Sequence, residues 1–338
     1  MYYLDLSIII VNWKSKAFVQ RCLSSIYANL HSLRYEVIVV DNASYDGCGE
    51  MIRAAFPSVI FIQSSRNLGF AGANNLAFVR CRGRNVLFLN PDTEIQGPAI
   101  QKLVSALGCR PDAGMVGARL LNTDLSLQTT CVTALPSILN QALDSQHLRS
   151  YFPKWSIWGK QALLDGFSAP VVVEAISGAC MLAKREILEQ IGCFTTAYFM
   201  YAEDMDLCMK VAMAGARIYY VPDAVIVHHA GGSSSQRKDN NFSNIVLRES
   251  LTRFFGLYRG HFYANMYRLS AVAASFCRIA LLILICPIAI HPDGYRFMSR
   301  ALSKWSAIFL WSLGLFKGAK RHSSPSLSSQ AIPAGPAY

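Results

Sequence analysis

Glu203, Asp204 and Asp206 place three carboxylates in four residues, the densest acidic group in the chain. Like charges this close repel one another and raise a carboxyl pKa, which suits a general base. On a helix, Glu203 and Asp206 share a face and Asp204 turns away by about 100°. The helix dipole favours the same residues as an ordinary acidic first turn, and spacing alone leaves the two readings equal. A second stretch is Asn90-Pro91-Asp92, which ends the apolar run 85–89. Asp92 falls just past a strand's carboxyl end, where open α/β sheets bind ligands, and Pro91 stops the ladder because it has no N–H. A plain turn uses the same residues. His228-His229 closes another apolar run before Gly231-Gly232-Ser233, and an imidazole there could bind a metal or a diphosphate. Asp41 follows a third run and could accept from a ribose or base, or simply close an Asx-turn.

Apolar runs separated by helical stretches must position these groups. Leu4–Val11, Tyr35–Val40, Val59–Ile62 and 85–89 are predicted buried strands. A helix is expected over Ser15–Asn29, with Ser15 as N-cap and Ala17, Val19, Cys22, Leu23 and Ile26 facing the core. Strands alternating with helices imply βαβ crossovers and a largely parallel sheet. The polar loops 41–47, 67–75 and 90–94 then converge on one edge. Further on, Gly97-Pro98 opens a helix, and strands are expected at Gly114–Leu120, Leu125–Val132, Val171–Leu182 with an interruption at Ser177-Gly178, Arg217–Val221 and Ala224–Val227. Residues 133–170 show little periodicity and read as a long excursion over the site, a lid or acceptor loop.

Charge is divided unevenly. Residues 1–235 hold 19 Lys+Arg against 18 Asp+Glu, whereas 236–322 hold 13 against 3. The excess positive charge lies in one C-terminal block, which argues against a nucleic-acid groove on the main domain. The ten cysteines contain no C-x-x-C pair and read as free, mostly buried thiols of a reducing cytoplasmic setting, and no secretory signal is read at the start. Gly69-Phe70-Ala71-Gly72 is not a dinucleotide fingerprint, and Walker A, H-E-x-x-H and G-x-S-x-G patterns are absent.

Taken together, Ile9–Trp13, Val39–Ser44 with Asp46-Gly47, Asn67–Ala71, Asn90-Pro91-Asp92, Ser177-Gly178-Ala179, Phe199–Asp206 and His228-His229 resemble, in order, the inverting family 2 glycosyltransferases. The rhamnosyltransferase branch is the nearest group. The resemblance spans about Leu6–Ser234 and implies a GT-A fold, a Rossmann-like, mostly parallel sheet flanked by helices. It implies that Asp204 is the catalytic base. It also implies that Asn12, Asp41, Asn67, Asp92, Gly178 and Glu203 bind the nucleotide sugar. Asp92, Asn90 and His228 or His229 would hold Mg²⁺ or Mn²⁺. The donor implied is dTDP-L-rhamnose, the acceptor a lipid-linked or growing polysaccharide. UDP-galactofuranose or UDP-N-acetylglucosamine donors, and a non-catalytic nucleotide-sugar-binding scaffold, stand as alternatives. Asn90 departs from the family's D-x-D, and its neutral carbonyl predicts weaker metal affinity.

The expected organisation is a catalytic domain over 1–235, a basic helical region over 236–322 and a disordered tail over 323–338. In the second, Arg278 interrupts the apolar run Leu269–Ile290, leaving 12 uncharged residues at 279–290. A bilayer crossing takes about 20. With Arg248, Arg253, Arg259, Arg268, Arg296, Arg300 and Lys304 around it, the region reads as amphipathic interfacial helices. Their expected place is peripheral, on the cytoplasmic face of an anionic membrane.

Overall fold

In the computed structural model, residues 4–143, 146–159, 163, 166–229, 241–285 and 292–315 are described. The four N-terminal apolar runs form β1 (Leu4–Asn12), β2 (Tyr35–Asp41), β3 (Ile60–Gln63) and β4 (Gly83–Leu89). They lie in the order β3-β2-β1-β4, all parallel. Both faces are covered, so the runs are continuously apolar and their residues alternate between two cores. Leu6, Ile8, Ile10, Val37 and Val39 enter one core, with Val19, Cys22, Leu23 and Ile26 of α1 (Lys16–Asn29) and Ile52 of α2 (Cys48–Ala55). Ile9, Val11, Ile38 and Val40 enter the other, with Ala71, Ala73 and Ala77 of α3 (Gly69–Phe78). Ala17 is exposed, contrary to expectation. Ser15 makes no side-chain cap, because its hydroxyl donates to Asn12 Oδ1 at 2.9 Å.

After the short edge strand β5 (Thr93–Ile95) and α4 (Ala99–Gly108), the sheet becomes mixed. β6 (Ala113–Leu121) and β11 (Arg217–His228) are parallel neighbours. β10 (Cys180–Lys184) runs antiparallel between β4 and β6. The pair expected at 217–227 is thus one strand, bent at the irregularity between Val221 and Val225 where Pro222 sits. The run expected at 171–182 divides into β8 (Val171–Val173) on β11, β9 (Ala175–Ile176) on β7 (Val132–Thr133), and β10. The strand expected at 125–132 is mostly loop. Leu125 is left-handed (φ 63°), Asp124 Oδ1 accepts the Ser126 N–H at 3.0 Å, and a 3₁₀ turn occupies Thr129–Cys131.

The excursion carries α5 (Ile138–Ala142), α6 (Gln146–Tyr151) and a stacked aromatic ladder, Phe152–Trp155–Trp158. α7 (Arg185–Ile191) and α8 (Glu203–Met213) flank the sheet, followed by α9 (Phe242–Ile285) and α10 (Pro292–Ser312). Gly260 breaks the helical geometry of α9. By length and composition α9 could cross a membrane. One face, however, packs on protein: Ala264, Tyr267 and Ser275 are buried, and Arg278 donates to the Ala142 carbonyl of α5 at 2.8 Å and lies over the Trp305 ring. Arg268 also turns inward, to the Trp311 carbonyl, and Arg253, itself exposed, donates to that of Ala197. The other face exposes Phe262, Met266, Leu269 and Phe276. The nine described cysteines are free, with Cys109 and Cys277 exposed and the rest buried. The expected tail 323–338, the Gly231-Gly232-Ser233 loop and the end of the apolar run at 286–290 lie outside the described residues.

Candidate active site

Strand direction brings the chemistry to one edge. The carboxyl ends of β1, β2 and β4 deliver Asn12, Asp41 and Asn90 there. Because β10 is antiparallel to β4, its beginning lies at the same edge, with Cys180 opposite Leu89. β6 and β11 run with β4 and end there in Leu121 and His228. The order β2-β1-β4 places this crevice at the topological switch point.

At the nucleotide-side corner, Asp41 is buried and densely bonded. Its Oδ1 accepts Asn12 Nδ2 at 2.7 Å, and its Oδ2 accepts the Ser44 and Tyr45 N–H groups at 3.1 Å and Gln63 Nε2 at 2.6 Å. Burial by itself would raise this carboxyl, but the Gln63 amide, the Tyr45 N–H, Ser44 and Asn12 outweigh it and hold the pKa below the usual value. Asn12 Nδ2 also donates to Asp46 Oδ1 at 3.1 Å. Asn67 Oδ1 accepts Asn42 Nδ2 at 3.0 Å, and Asn42 Oδ1 accepts the Leu68 N–H at 2.8 Å, so the 41–47 and 67–75 loops are clasped together. Gly69 (φ +72°) lets the Phe199 carbonyl oxygen come within 2.6 Å of where a Cβ would stand.

At the centre, His228 Nε2 lies 3.3 Å from Asp92 Oδ1 and 3.5 Å from Asn90 Nδ2. His228 Nδ1 lies 2.7 Å from Gln128 Oε1. His229 points elsewhere: its Nε2 is 2.9 Å from Glu94 Oε1 and its Nδ1 is 3.0 Å from Thr123 Oγ1. Of the two imidazoles, His228 therefore joins Asp92. Among the described residues no three His, Cys, Asp or Glu side chains form a metal-like group. A carboxylate, an imidazole and the Asn90 carboxamide still fit an ion that takes its other ligands from substrate phosphates and water. Asp92 Oδ1 and His228 Nε2 face each other at 3.3 Å, with the Asn90 carboxamide beside them.

Across the crevice, α8 is entered through Tyr201 and Ala202, both left-handed (φ 67° and 64°), a strained entry of the kind that persists at functional sites. The three carboxylates separate sharply. Asp206 is fully buried and structural, accepting Thr195 Oγ1 at 2.6 Å, Tyr198 OH at 3.0 Å and Tyr258 OH of α9 at 2.8 Å. Asp204, half-buried, accepts the Gly178 N–H at 3.1 Å and the Met205 N–H at 2.9 Å, and burial raises its pKa despite those two bonds. Glu203 is 8% exposed and its Oε2 has no hydrogen-bond partner. Burial first, then the Asp204 charge, push it up to about 8. With Glu203 holding the proton, Asp204 can remain ionised beside it. Gly178 thus meets Asp204, and a Cβ there would stand 3.3 Å from Asp204 Cβ.

Gln128, Gln63, Asn42 and Tyr258 carry this geometry and were not singled out from sequence. None sits in a short-range pattern with its partner: Gln128 meets His228 across 100 residues, and Tyr258 meets Asp206 across 52.

A sheet with this switch-point crevice, an Asn-x-Asp station and an acidic helix start defines a nucleotide-sugar transferase of the GT-A class. The sequence profile of Glycosyl transferase family 2 matches residues 7–192, more than half of the chain, and the chain belongs to that family. It is 28% identical over 238 residues to the N-acetylglucosaminyl-diphospho-decaprenol L-rhamnosyltransferase of Mycobacterium tuberculosis, a match covering 66% of this chain and 76% of that protein. It is 27% identical to the rhamnosyltransferase WbbL of Escherichia coli, over 66% of this chain and 83% of that one. The fold matches the mannosyltransferase PcManGT of Pyrobaculum calidifontis, solved with GDP-Man and Mn²⁺. That match has a TM-score of 0.55 at 20% identity and covers 92% and 88% of the two chains. The protein is a glycosyltransferase, as its motifs imply.

Proposed function

We propose that this glycosyltransferase moves L-rhamnose from dTDP-L-rhamnose, with inversion, to a hydroxyl of a lipid-linked or growing glycan in cell-surface polysaccharide synthesis. The observation that carries the reading is the double attachment at Gly178-Ala179. The Gly178 N–H holds Asp204 at 3.1 Å, and the next residue's carbonyl accepts the Asn90 N–H at 3.0 Å. One short turn therefore sets a base and an anion-neutralising station against each other, the two separated functions that this displacement needs. The two rhamnosyltransferase relatives support the donor sugar.

Asp204 accepts the proton of the acceptor hydroxyl as that oxygen attacks the anomeric carbon. The bond from that carbon to the diphosphate oxygen breaks, and the electron pair leaves with the nucleotide. Asp92, His228 and Asn90 would hold a divalent cation, whose chemistry would be to neutralise charge on the leaving diphosphate. Asn12, Asp41 and Asn67 shape the nucleotide-side loops, and buried Glu203 keeps its proton beside the base. For the second region, the outward stripe Phe262–Met266–Leu269–Phe276 supports α9 lying on the cytoplasmic membrane surface, close to a lipid-linked acceptor. The catalytic part over 1–235 and the basic helical part over 236–322 are the corresponding division of labour.

The test is turnover with dTDP-rhamnose, UDP-galactofuranose and UDP-N-acetylglucosamine, each with Mg²⁺, Mn²⁺ or chelator, on the intact protein and on Asp204→Asn. Transfer from dTDP-rhamnose alone is expected. Asp204→Asn should fall by about 10²–10⁴-fold in kcat with donor binding retained. Unchanged kcat in that variant removes Asp204 as the base.

A further inference from the structure

The loop between β6 and the 3₁₀ turn, residues 122–128, holds both imidazoles by the same ring nitrogen: Thr123 Oγ1 meets His229 Nδ1, and Gln128 Oε1 meets His228 Nδ1. From Gln128 the contacts continue outward as an ordered chain. Gln128 Nε2 donates to Asn122 Oδ1 at 3.1 Å, Asn122 Nδ2 donates to Ser126 Oγ at 2.9 Å, and Ser126 Oγ donates to Asp124 Oδ1 at 2.5 Å. The direction of every link follows from its far end. An ionised carboxylate only accepts, so Ser126 must give its hydroxyl hydrogen to Asp124 and offers a lone pair to Asn122. The Asn122 carboxamide is then oriented with its oxygen toward Gln128, and Gln128 with its oxygen toward His228. The hydrogen between Gln128 and His228 therefore sits on His228 Nδ1. In the neutral imidazole this leaves Nε2 as a lone pair, 3.3 Å from Asp92 Oδ1.

We propose that Gln128 is the positioning residue of the cation station, fixing His228 in the tautomer whose Nε2 is free to ligate, with the loop 122–128 as its support. The inference rests on the reading above that Asp92 and His228 hold a divalent cation. Gln128 is buried, so it cannot exchange its partner for water without moving. It acts through His228 and touches neither donor nor acceptor in the mechanism above. The loop's departure from a strand, with Leu125 left-handed between Asp124 and Ser126, is what folds the chain back on itself and brings Asn122 and Gln128 side by side.

Two readouts on the full chain test this. Nitrogen-15 spectra of histidine-labelled protein, with the His228 signals assigned from a His228→Ala sample, report which ring nitrogen carries the hydrogen. Water-proton relaxation with Mn²⁺ in the presence of dTDP reports metal affinity. The intact protein should show His228 with hydrogen on Nδ1. Gln128→Leu should lose that preference and weaken Mn²⁺ by about 10–100-fold, the usual effect of removing an outer partner of a ligating histidine. Gln128→Glu, which still accepts from Nδ1 but cannot donate to Asn122 Oδ1, should restore the Nδ1 hydrogen and bind Mn²⁺ more tightly than Gln128→Leu, and this rescue separates positioning from a general loss of folding. Wild-type tautomer and affinity in Gln128→Leu, with Mn²⁺ binding lost in His228→Ala, overturns the role of Gln128 and leaves the cation reading standing. Wild-type Mn²⁺ affinity in His228→Ala overturns the cation reading itself, and the inference with it.

Discussion

Replacing Glu203 by glutamine should change how stability depends on pH. In the folded protein this carboxyl is 8% exposed, has one oxygen without a hydrogen-bond partner, and is raised from 4.5 to about 8. Between those values the folded chain keeps a proton that the unfolded chain has released. The group's contribution is therefore full below about 4.5 and is lost as pH rises through about 8. One proton difference gives a slope near 1.4 kcal/mol per pH unit, so from pH 5.5 to 7.5 wild type should lose roughly 2–3 kcal/mol to this group alone. The substituted carboxamide carries no charge at any pH, and other titrating groups are common to both proteins. The difference in unfolding free energy between Glu203→Gln and wild type should therefore grow by that amount over the interval. In thermal melts this is a gap widening by several degrees, at about 2–4 °C per kcal/mol. Paired denaturant or thermal unfolding at four or five pH values is sufficient. Parallel curves for the two proteins would refute a neutral, buried Glu203 beside an ionised Asp204.

Gly69→Ala should lower the melting temperature and weaken donor binding, because a left-handed alanine costs about 1–2 kcal/mol and its Cβ meets the Phe199 carbonyl oxygen at 2.6 Å. An unchanged melt and unchanged nucleotide affinity would show that the 67–75 and 199–202 loops are not packed this way. On α9, Phe262 is 79% and Phe276 62% exposed, and burying a Phe in an interface contributes about 1.5–3 kcal/mol. Phe262→Glu with Phe276→Glu should then reduce co-sedimentation of the full chain with anionic vesicles by at least about tenfold, and undiminished binding would remove this stripe as the membrane contact.

The parallel half of the sheet was legible because burial on both faces leaves no choice but continuous apolar runs, and Ile8–Val11 or Val37–Val40 show it. The converging loops followed from that topology. The C-terminal half was harder to read: the interruption at Ser177-Gly178 was visible, but the split of 171–176 into β8 and β9, which pair with different strands, was not, and Pro222 hides the continuity of β11. Within 203–206, composition announced chemistry but could not distribute it. Asp206 is structural because Tyr198, Tyr258 and Thr195 reach it, and one of those partners, Tyr258, depends on where a segment 52 residues away packs. His228 and His229 posed the same problem. Adjacent residues on a strand point to opposite faces, but only the positions of Gln128 and Glu94 decide which face holds the site.

The segment that presents Asp204 is held from two directions. On the sheet side, Gly178 binds the carboxylate itself. On the other, α9 grips the approach to it: Ser250 Oγ donates to the Met200 carbonyl at 2.9 Å, Arg253 to that of Ala197, and Tyr258 OH to Asp206 Oδ1 at 2.8 Å. Between these grips lie the left-handed Tyr201 and Ala202. Such residues cost of order 1–3 kcal/mol each and persist only where the surroundings over-determine them. The sheet and α9 supply that over-determination together. The part of α9 before Gly260 therefore holds the Asp204 segment, and the part after it carries the exposed stripe proposed for the membrane, so the two proposed tasks meet at the break between them.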